Sequence, residues 1–290
     1  MNRRTFLQQA MTVTGASVVS PILAESISTN KLQRKQNFLI GACDWSIGGQ
    51  ASLKAFDTAR QIGLDGIQVS LNSTKDEVHL RDPAMQGQYR EAARQTGVQI
   101  GGLALGILNE VPYKSEARTE VWVQDSVDVA KALGIKTILL AFFGKNDLKN
   151  DAKCTQAVID RLKAVAPKAE KAGVVLGIES WLSAPEHLAI IEAVGSPAVK
   201  VYYDVCNSTV MGYDIFREMR DLGTKYICEV HIKENDYLIG QGVIDMKRVR
   251  ATLDAIGYRG WLQLEGAVPK GKPMLESYLE NNRAARQLFG

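Results

Sequence analysis

The chain has 290 residues, of which 46% are hydrophobic, 23% charged and 7% aromatic. The formal net charge is +3, and two of the positive residues, Arg3 and Arg4, stand at the extreme N-terminus, so the remainder is close to neutral. That balance excludes a low-complexity or collagen-like chain, and it denies the body the basic field of a general nucleic-acid binder.

Residues 1–24 read as an export signal. Paired arginines in Met1-Asn-Arg-Arg-Thr-Phe-Leu-Gln8 precede an apolar run from Ala10 to Ala24, which Gly15 and Pro21 interrupt. The run is too short and too broken to span a bilayer comfortably, which favours a signal over an anchor. It resembles a bacterial twin-arginine leader, and this implies the export machinery as a partner and the periplasm as the destination. Residues 25–36 read as a linker and 37–290 as a single domain. The four cysteines, Cys43, Cys154, Cys206 and Cys228, form no CxxC pair, so a zinc ribbon is out and free thiols are expected.

Beyond the leader, short apolar runs alternate with longer amphipathic segments. The expected strands are Phe38–Trp45, Gly66–Leu71, Val98–Leu105, Lys136–Phe143, Val174–Ser180, Val199–Asp204, Tyr226–Lys233 and Trp261–Gly266. Several are continuously apolar, as parallel strands covered on both faces must be. Between them the period becomes helical: Val123, Val127, Ala130 and Leu133 share one stripe, and Val158, Leu162, Val165 and Ala169 another. A glycine closes nearly every helical segment (Gly63, Gly97, Gly134, Gly173, Gly195, Gly223, Gly257), marking the turn into the next strand. Strand starts lie 25 to 38 residues apart, room for one strand, one helix and two loops each. Eight such units make an α/β fold, a single-domain (β/α)₈ TIM barrel. The rival open sheet is disfavoured, because Gly41-Ala-Cys-Asp-Trp-Ser-Ile-Gly48 matches no phosphate-binding loop.

A barrel carries its chemistry at the C-terminal ends of its strands. Each of the last four strands delivers one metal-binding side chain there: Glu179, Asp204, His231 and Glu265. Each follows an apolar run, where an unpaired charge suffers a heavy desolvation penalty. Four such groups on consecutive strands converge, and their like charges call for a cation between them. Three carboxylates and one imidazole suit one divalent ion, Mn²⁺ or Mg²⁺ foremost, with Co²⁺ allowed.

The same segments carry a resemblance. Gly-Ile-Glu179-Ser, Tyr-Tyr-Asp204-Val-Cys-Asn, Val-His231-Ile-Lys-Glu and Gly257-Tyr-Arg-Gly-Trp-Leu-Gln-Leu-Glu265 resemble the sugar phosphate isomerase/epimerase group of xylose-isomerase-like TIM barrels. Gly63-Leu-Asp-Gly-Ile-Gln-Val69 and the loop Gly240-Gln-Gly-Val-Ile-Asp245 are also similar to that group. The resemblance implies one divalent metal held by Glu179, Asp204, His231 and Glu265, with Glu179 and Glu265 as the acid/base pair. The implied reaction is isomerisation or epimerisation of a sugar or keto-sugar, by proton abstraction next to a carbonyl through an enediolate. A small carbohydrate is the expected partner, and since such barrels often pair through helices, a homo-oligomer stays open.

The substrate contacts depart from the group. Many of its sugar epimerases place a histidine three residues after the aspartate ligand and an arginine six after the histidine ligand; here Asn207 and Tyr237 stand there. Substrate binding is therefore assigned to Trp45, Trp181, Asn207 and Lys233. Trp45, Phe142, Phe143 and Trp181 lie where aromatic faces could pack on a sugar ring, and Lys233 and Glu234 could hydrogen-bond at the rim. His187, at the start of a helix, reads as a surface or capping residue, and His79 has no partner visible in sequence. The export signal favours a free sugar over a phosphate ester, which cells retain. Two alternatives use the same barrel: a lyase or dehydratase that expels a β-substituent from the enediolate, and a non-catalytic exported carbohydrate-binding barrel. An abasic-site endonuclease is disfavoured, since its multi-zinc cluster needs more than the three histidines available.

Overall fold

The computed structural model describes residues 38–290; the expected leader (1–24) and linker (25–36) lie outside the described residues. Eight parallel strands close on themselves in chain order: β1 Phe38–Cys43, β2 Gly66–Ser70, β3 Gln99–Leu105, β4 Thr137–Phe142, β5 Val175–Ser180, β6 Val199–Asp204, β7 Ile227–Ile232 and β8 Gly260–Leu264. The barrel is sealed between β1 and β8, from Phe38 opposite Gly260 to Ala42 opposite Leu264. Every strand begins and ends within two residues of the sequence expectation. The fold is the (β/α)₈ barrel.

The helices are α1 Lys54–Ile62, α2 Pro83–Thr96, α3 Arg118–Leu133, α4 Ala152–Ala172, α5 Ala184–Val194, α6 Val205–Val210, α7 Ile215–Tyr226, α8 Met246–Ala255 and α9 Met274–Phe289. The predicted stripes face the barrel: Val123, Val127 and Ala130 of α3 and Val158, Leu162, Val165 and Ala169 of α4 are buried, with Leu133 partly so. Each such side chain withdrawn from water contributes about 1.5–3 kcal/mol for the larger aliphatics. Local chemistry sets the ends. Asp82 caps α2 ahead of Pro83, and Ser183 with Glu186 forms a reciprocal capping box on α5. Five of the expected glycines, from Gly63 to Gly195, close their helices in the left-handed conformation. Gly223 corrects the expectation: it kinks α7 (φ 55°, ψ −172°) and the helix resumes to Tyr226. No described helix is long and apolar enough to cross a membrane.

The main apolar core lies between strands and helices, and the inside of the barrel differs from it. Gln68, Tyr202, Glu229 and Gln263 are all buried, from β2, β6, β7 and β8. Glycine makes room for them: a Cβ on Gly41 would collide with Gln263 Oε1.

Two buried carboxylates shape the loops at the C-terminal face. Asp44 accepts hydrogen bonds from the backbone N–H groups of Ser70 and Ala51 and from the Ser70 hydroxyl, tying the turn that carries Trp45 to β2. Burial pushes the Asp44 carboxyl up to about 6, against those hydrogen bonds. Glu234 was expected at the substrate rim. Instead it is buried and accepts from the backbone N–H groups of Gly240, Gly242 and Ile244, so it staples the loop after β7. A Cβ on Gly242 would lie 2.5 Å from Glu234 Oε1, which accounts for glycine at that point of the Gly240–Asp245 motif.

Candidate metal centre

The structure brings Glu179, Asp204, His231 and Glu265 together at the C-terminal end of the barrel. One ligand atom from each lies within 4.8 Å of all the others. His231 Nδ1 is 2.9 Å from Glu179 Oε1, 3.5 Å from Glu265 Oε2 and 3.8 Å from Asp204 Oδ2. Donors around a single ion with bonds of roughly 2.1 Å are separated by about 3–4.3 Å, so the set is nearly pre-formed.

Each of these side chains is positioned by the fold. Asp204 ends β6 and caps α6: its Oδ1 accepts from the backbone N–H groups of Cys206 and Asn207, both at 2.8 Å. Its Oδ2 is buried and has no hydrogen bond, although Lys233 Nζ lies 3.1 Å away without the alignment to donate. A buried, unsatisfied carboxylate oxygen aimed at three other donors is what a cation site requires. Glu265 is held from two sides, by Trp45 Nε1 at 3.0 Å on Oε1 and by Lys233 Nζ at 2.7 Å on Oε2.

The tautomer of His231 can be read through the barrel interior. Glu229 Oε1 accepts from Gln263 Nε2 (2.9 Å) and from the Tyr202 hydroxyl (3.0 Å). With its proton given to Glu229, the Tyr202 oxygen accepts from Gln68 Nε2 at 3.0 Å. The Gln68 amide oxygen then faces His231 Nε2 at 3.1 Å and can only accept. Nε2 therefore carries the proton, and in the neutral ring the lone pair of Nδ1 points at the carboxylates, as metal ligation needs.

Electrostatics separates the two glutamates. Burial pushes Glu179 up to about 7, with His231 opposing. Burial would also raise Glu265, but His231, Lys233 and Trp45 outweigh it and hold this carboxyl below its ordinary value. His231 sits well above its ordinary range: burial alone would lower it, but the carboxylates of Glu179 and Glu265 raise it by more. Glu229 is likewise pushed up to about 7 by burial, against its hydrogen bonds from Gln263 and Tyr202. Cys43, unforeseen in sequence, groups with His231 and Glu265 as a second cluster of ligand type, its Sγ 3.3 Å from His231 Nε2. Burial pushes that thiol up to about 12, so it stays protonated at neutral pH and does not compete as a thiolate ligand.

A cavity of about 360 Å³ opens above this cluster, lined among others by Glu179, Glu265, Trp45, Trp181, Asn207 and Lys233. All four residues assigned to substrate thus lie on its wall. Trp45 and Lys233 also hold Glu265, a role that sequence distance concealed. Phe143 lines the cavity and stacks edge-on against Trp181 (5.3 Å), whereas Phe142 turns outward into the core against Tyr113. His187 corrects its expectation: it is buried, bridging the Ser180 hydroxyl (2.9 Å) and the Ser183 carbonyl (3.1 Å). His79 is buried beside the Tyr89 hydroxyl at 3.2 Å. All four cysteines are free.

Comparison with known proteins places this geometry. Residues 56–288 match the family described as xylose isomerase-like TIM barrel. A 2-epi-5-epi-valiolone 7-phosphate 2-epimerase of Actinoplanes sp. is 26% identical over 224 residues, spanning 75% of this chain and 81% of that protein. The L-ribulose-5-phosphate 3-epimerase UlaE of Escherichia coli is 25% identical over 231 residues, spanning 73% and 81%. The fold is shared with the 3-keto-D-glucoside 4-epimerase YcjR of E. coli (TM-score 0.72, 16% identity, 86% of this chain and 99% of that one). It is shared equally with a D-psicose 3-epimerase of Clostridium cellulolyticum (TM-score 0.72, 16% identity, 87% and 99%). With four-fifths of its length matched, the chain belongs to the xylose isomerase-like TIM barrel family.

Proposed function

We propose that the protein is a divalent-metal-dependent epimerase of a keto-sugar, with Glu179 and Glu265 exchanging the proton. The observation that carries this reading is the convergence of three carboxylates and one imidazole on the floor of a sugar-sized cavity, with one carboxylate oxygen buried and without a hydrogen bond. That related proteins are named as sugar epimerases supports it. The donor set fits Mn²⁺ or Mg²⁺ best, with Co²⁺ allowed: hard oxygens dominate and one nitrogen completes the set.

Glu179, Asp204, His231 and Glu265 would hold the ion. When bound, the ion supplies positive charge that stabilises the oxyanions of an enediolate. Glu265, kept ionised by Lys233 and Trp45, removes the proton from the carbon beside the carbonyl. Glu179, the second carboxyl of the pair, delivers a proton to the opposite face and inverts the centre. Trp45 and Trp181 wall the cavity and limit water around the enediolate. Export by the twin-arginine route to the periplasm belongs to this reading; Arg3, Arg4 and the Ala10–Ala24 run support it.

The test is NMR of candidate keto-sugars incubated with Mn²⁺-loaded protein in deuterium oxide. Deuterium is expected at one carbon, and Glu179→Gln or Glu265→Gln should slow its entry by about 10²–10⁴-fold, the usual worth of a general acid or base. Exchange that survives in the double variant overturns the assignment. Release of a β-substituent marks the lyase alternative, and binding without exchange marks a carbohydrate-binding barrel.

A further inference from the structure

Lys233 stands one residue beyond β7, two after His231, and is the one cationic side chain lining the cavity among the described residues. Its side chain is only 14% exposed. The ammonium donates to Glu265 Oε2 at 2.7 Å and lies 3.1 Å from Asp204 Oδ2. Those are the oxygens that the imidazole of His231 faces, at 3.5 and 3.8 Å from Nδ1. They are also the ones left over in each carboxylate, since Asp204 Oδ1 caps α6 and Glu265 Oε1 accepts from Trp45. Lys233 thus rests on two of the four donors an ion would take, while Glu179 pairs with His231. With all three carboxylates ionised, one ammonium leaves two negative charges, the complement of one divalent ion.

We propose that Lys233 is the resident counter-cation of the metal centre: it keeps the Asp204 and Glu265 carboxylates together in the metal-free protein, opposes the ion that shares them, and sets the site's demand at two positive charges. The inference rests on the reading of the four side chains as a metal centre. Like charges a few ångströms apart repel, and in a largely buried site salt screens them little. The ammonium therefore lowers the affinity for every ion, and by more for a trivalent ion than for a divalent one. In exchange it spares the metal-free cluster the cost of buried carboxylates without a positive partner.

Calorimetric titration of the metal-stripped protein with Mn²⁺ and with Tb³⁺ tests this in two variants. Lys233→Gln keeps a donor for Glu265 Oε2 without the charge, and Lys233→Met removes both. Lys233→Gln should bind Mn²⁺ about tenfold or more tightly than wild type, a gain of about 1.4 kcal/mol. Its gain for Tb³⁺ should be larger, about thirtyfold for a tenfold gain in Mn²⁺, because the repulsion scales with the ion's charge. Lys233→Met should tighten binding of both ions as well. The melting temperature of metal-stripped Lys233→Gln should fall, and the rise that saturating Mn²⁺ produces should exceed that of wild type. Equal or weaker Mn²⁺ binding by Lys233→Gln overturns the proposal and assigns Lys233 to orienting Glu265; so does a thermal gain from Mn²⁺ no larger than that of wild type. One equivalent of Mn²⁺ bound alike by wild type and both variants leaves the metal centre standing while this inference falls. No Mn²⁺ binding by any of the three sinks both.

Discussion

Gln68→Met is the substitution that best isolates how the barrel interior prepares His231 for the proposed metal. The change keeps nearly the same volume and removes the amide that links Tyr202 to His231 at 3.0 and 3.1 Å. His231 is fully buried, so its Nε2–H would be left with only the weak acceptor Cys43 Sγ at 3.3 Å. Leaving a buried donor unsatisfied costs about 1–3 kcal/mol of stability. Loss of the group that fixes a ligand's ring typically weakens metal binding by about 10–100-fold, or about 1.4–2.7 kcal/mol. Calorimetric titration of metal-stripped protein with Mn²⁺ reads the second quantity and urea denaturation the first. Gln68→Glu separates positioning from packing: it restores an acceptor for Nε2–H and should recover Mn²⁺ affinity while Gln68→Met does not. Mn²⁺ affinity within twofold of wild type in Gln68→Met would refute the tautomer argument.

Two further predictions follow from the electrostatics. Trp45→Phe keeps a ring on the cavity wall but deletes the N–H on Glu265 Oε1; that bond favours the ionised carboxylate, so the acid limb of the kcat profile should move to higher pH by about 0.5–1 pH unit, and an unmoved limb would show that Trp45 does not tune Glu265. For the metal-stripped protein, stability should fall between pH 5 and 8. Glu179 and Glu229, both pushed up to about 7, keep protons in the folded state that the unfolded chain releases near its ordinary 4.5, so their contribution is full below 4.5 and lost as pH rises through 7. The same sign holds for His231, whose contribution is lost from 6.5 upward. Glu229 alone accounts for about 3 kcal/mol. Mn²⁺ should shrink the fall, because a bound ion competes with the protons on Glu179 and His231. Urea midpoints at the two pH values measure this, and a stripped protein more stable at pH 8 than at pH 5 contradicts it.

The barrel was legible because its signals are local. Apolar runs such as Thr137–Phe142, followed by an amphipathic stretch and a glycine, announce strand, helix and turn without any long-range information. The four side chains of the candidate metal site were legible for the same reason: Glu179, Asp204 and Glu265 are each the first charged group after an apolar run, His231 follows two residues after Glu229, and the barrel's own rule sends residues at strand ends to one place. What stayed hidden depends on contacts across the chain. Gln68 and Tyr202 meet His231 from strands more than 28 residues distant in sequence, and Trp45 reaches Glu265 across the β1–β8 seam. Glu234 looked like a rim residue because its partners are backbone N–H groups, which no side-chain pattern displays. His187 looked like a surface residue because the hydroxyl that buries it lies back on β5. Gly223 carried the same sign as its fellows, yet it stands three residues before the end of α7 and takes a non-helical conformation there instead of closing the helix.

Calorimetric titration of the metal-stripped protein with Mn²⁺, wild type beside Asp204→Asn, bears most directly on the whole account. The asparagine keeps an oxygen to cap α6 through the N–H groups of Cys206 and Asn207 while replacing the unsatisfied Oδ2. One equivalent of Mn²⁺ per chain is expected in the wild type, with affinity falling roughly 100-fold or more, about 2.7 kcal/mol, in the variant. Unchanged stoichiometry and affinity in Asp204→Asn, or no binding by the wild type, would contradict a metal centre built from Glu179, Asp204, His231 and Glu265.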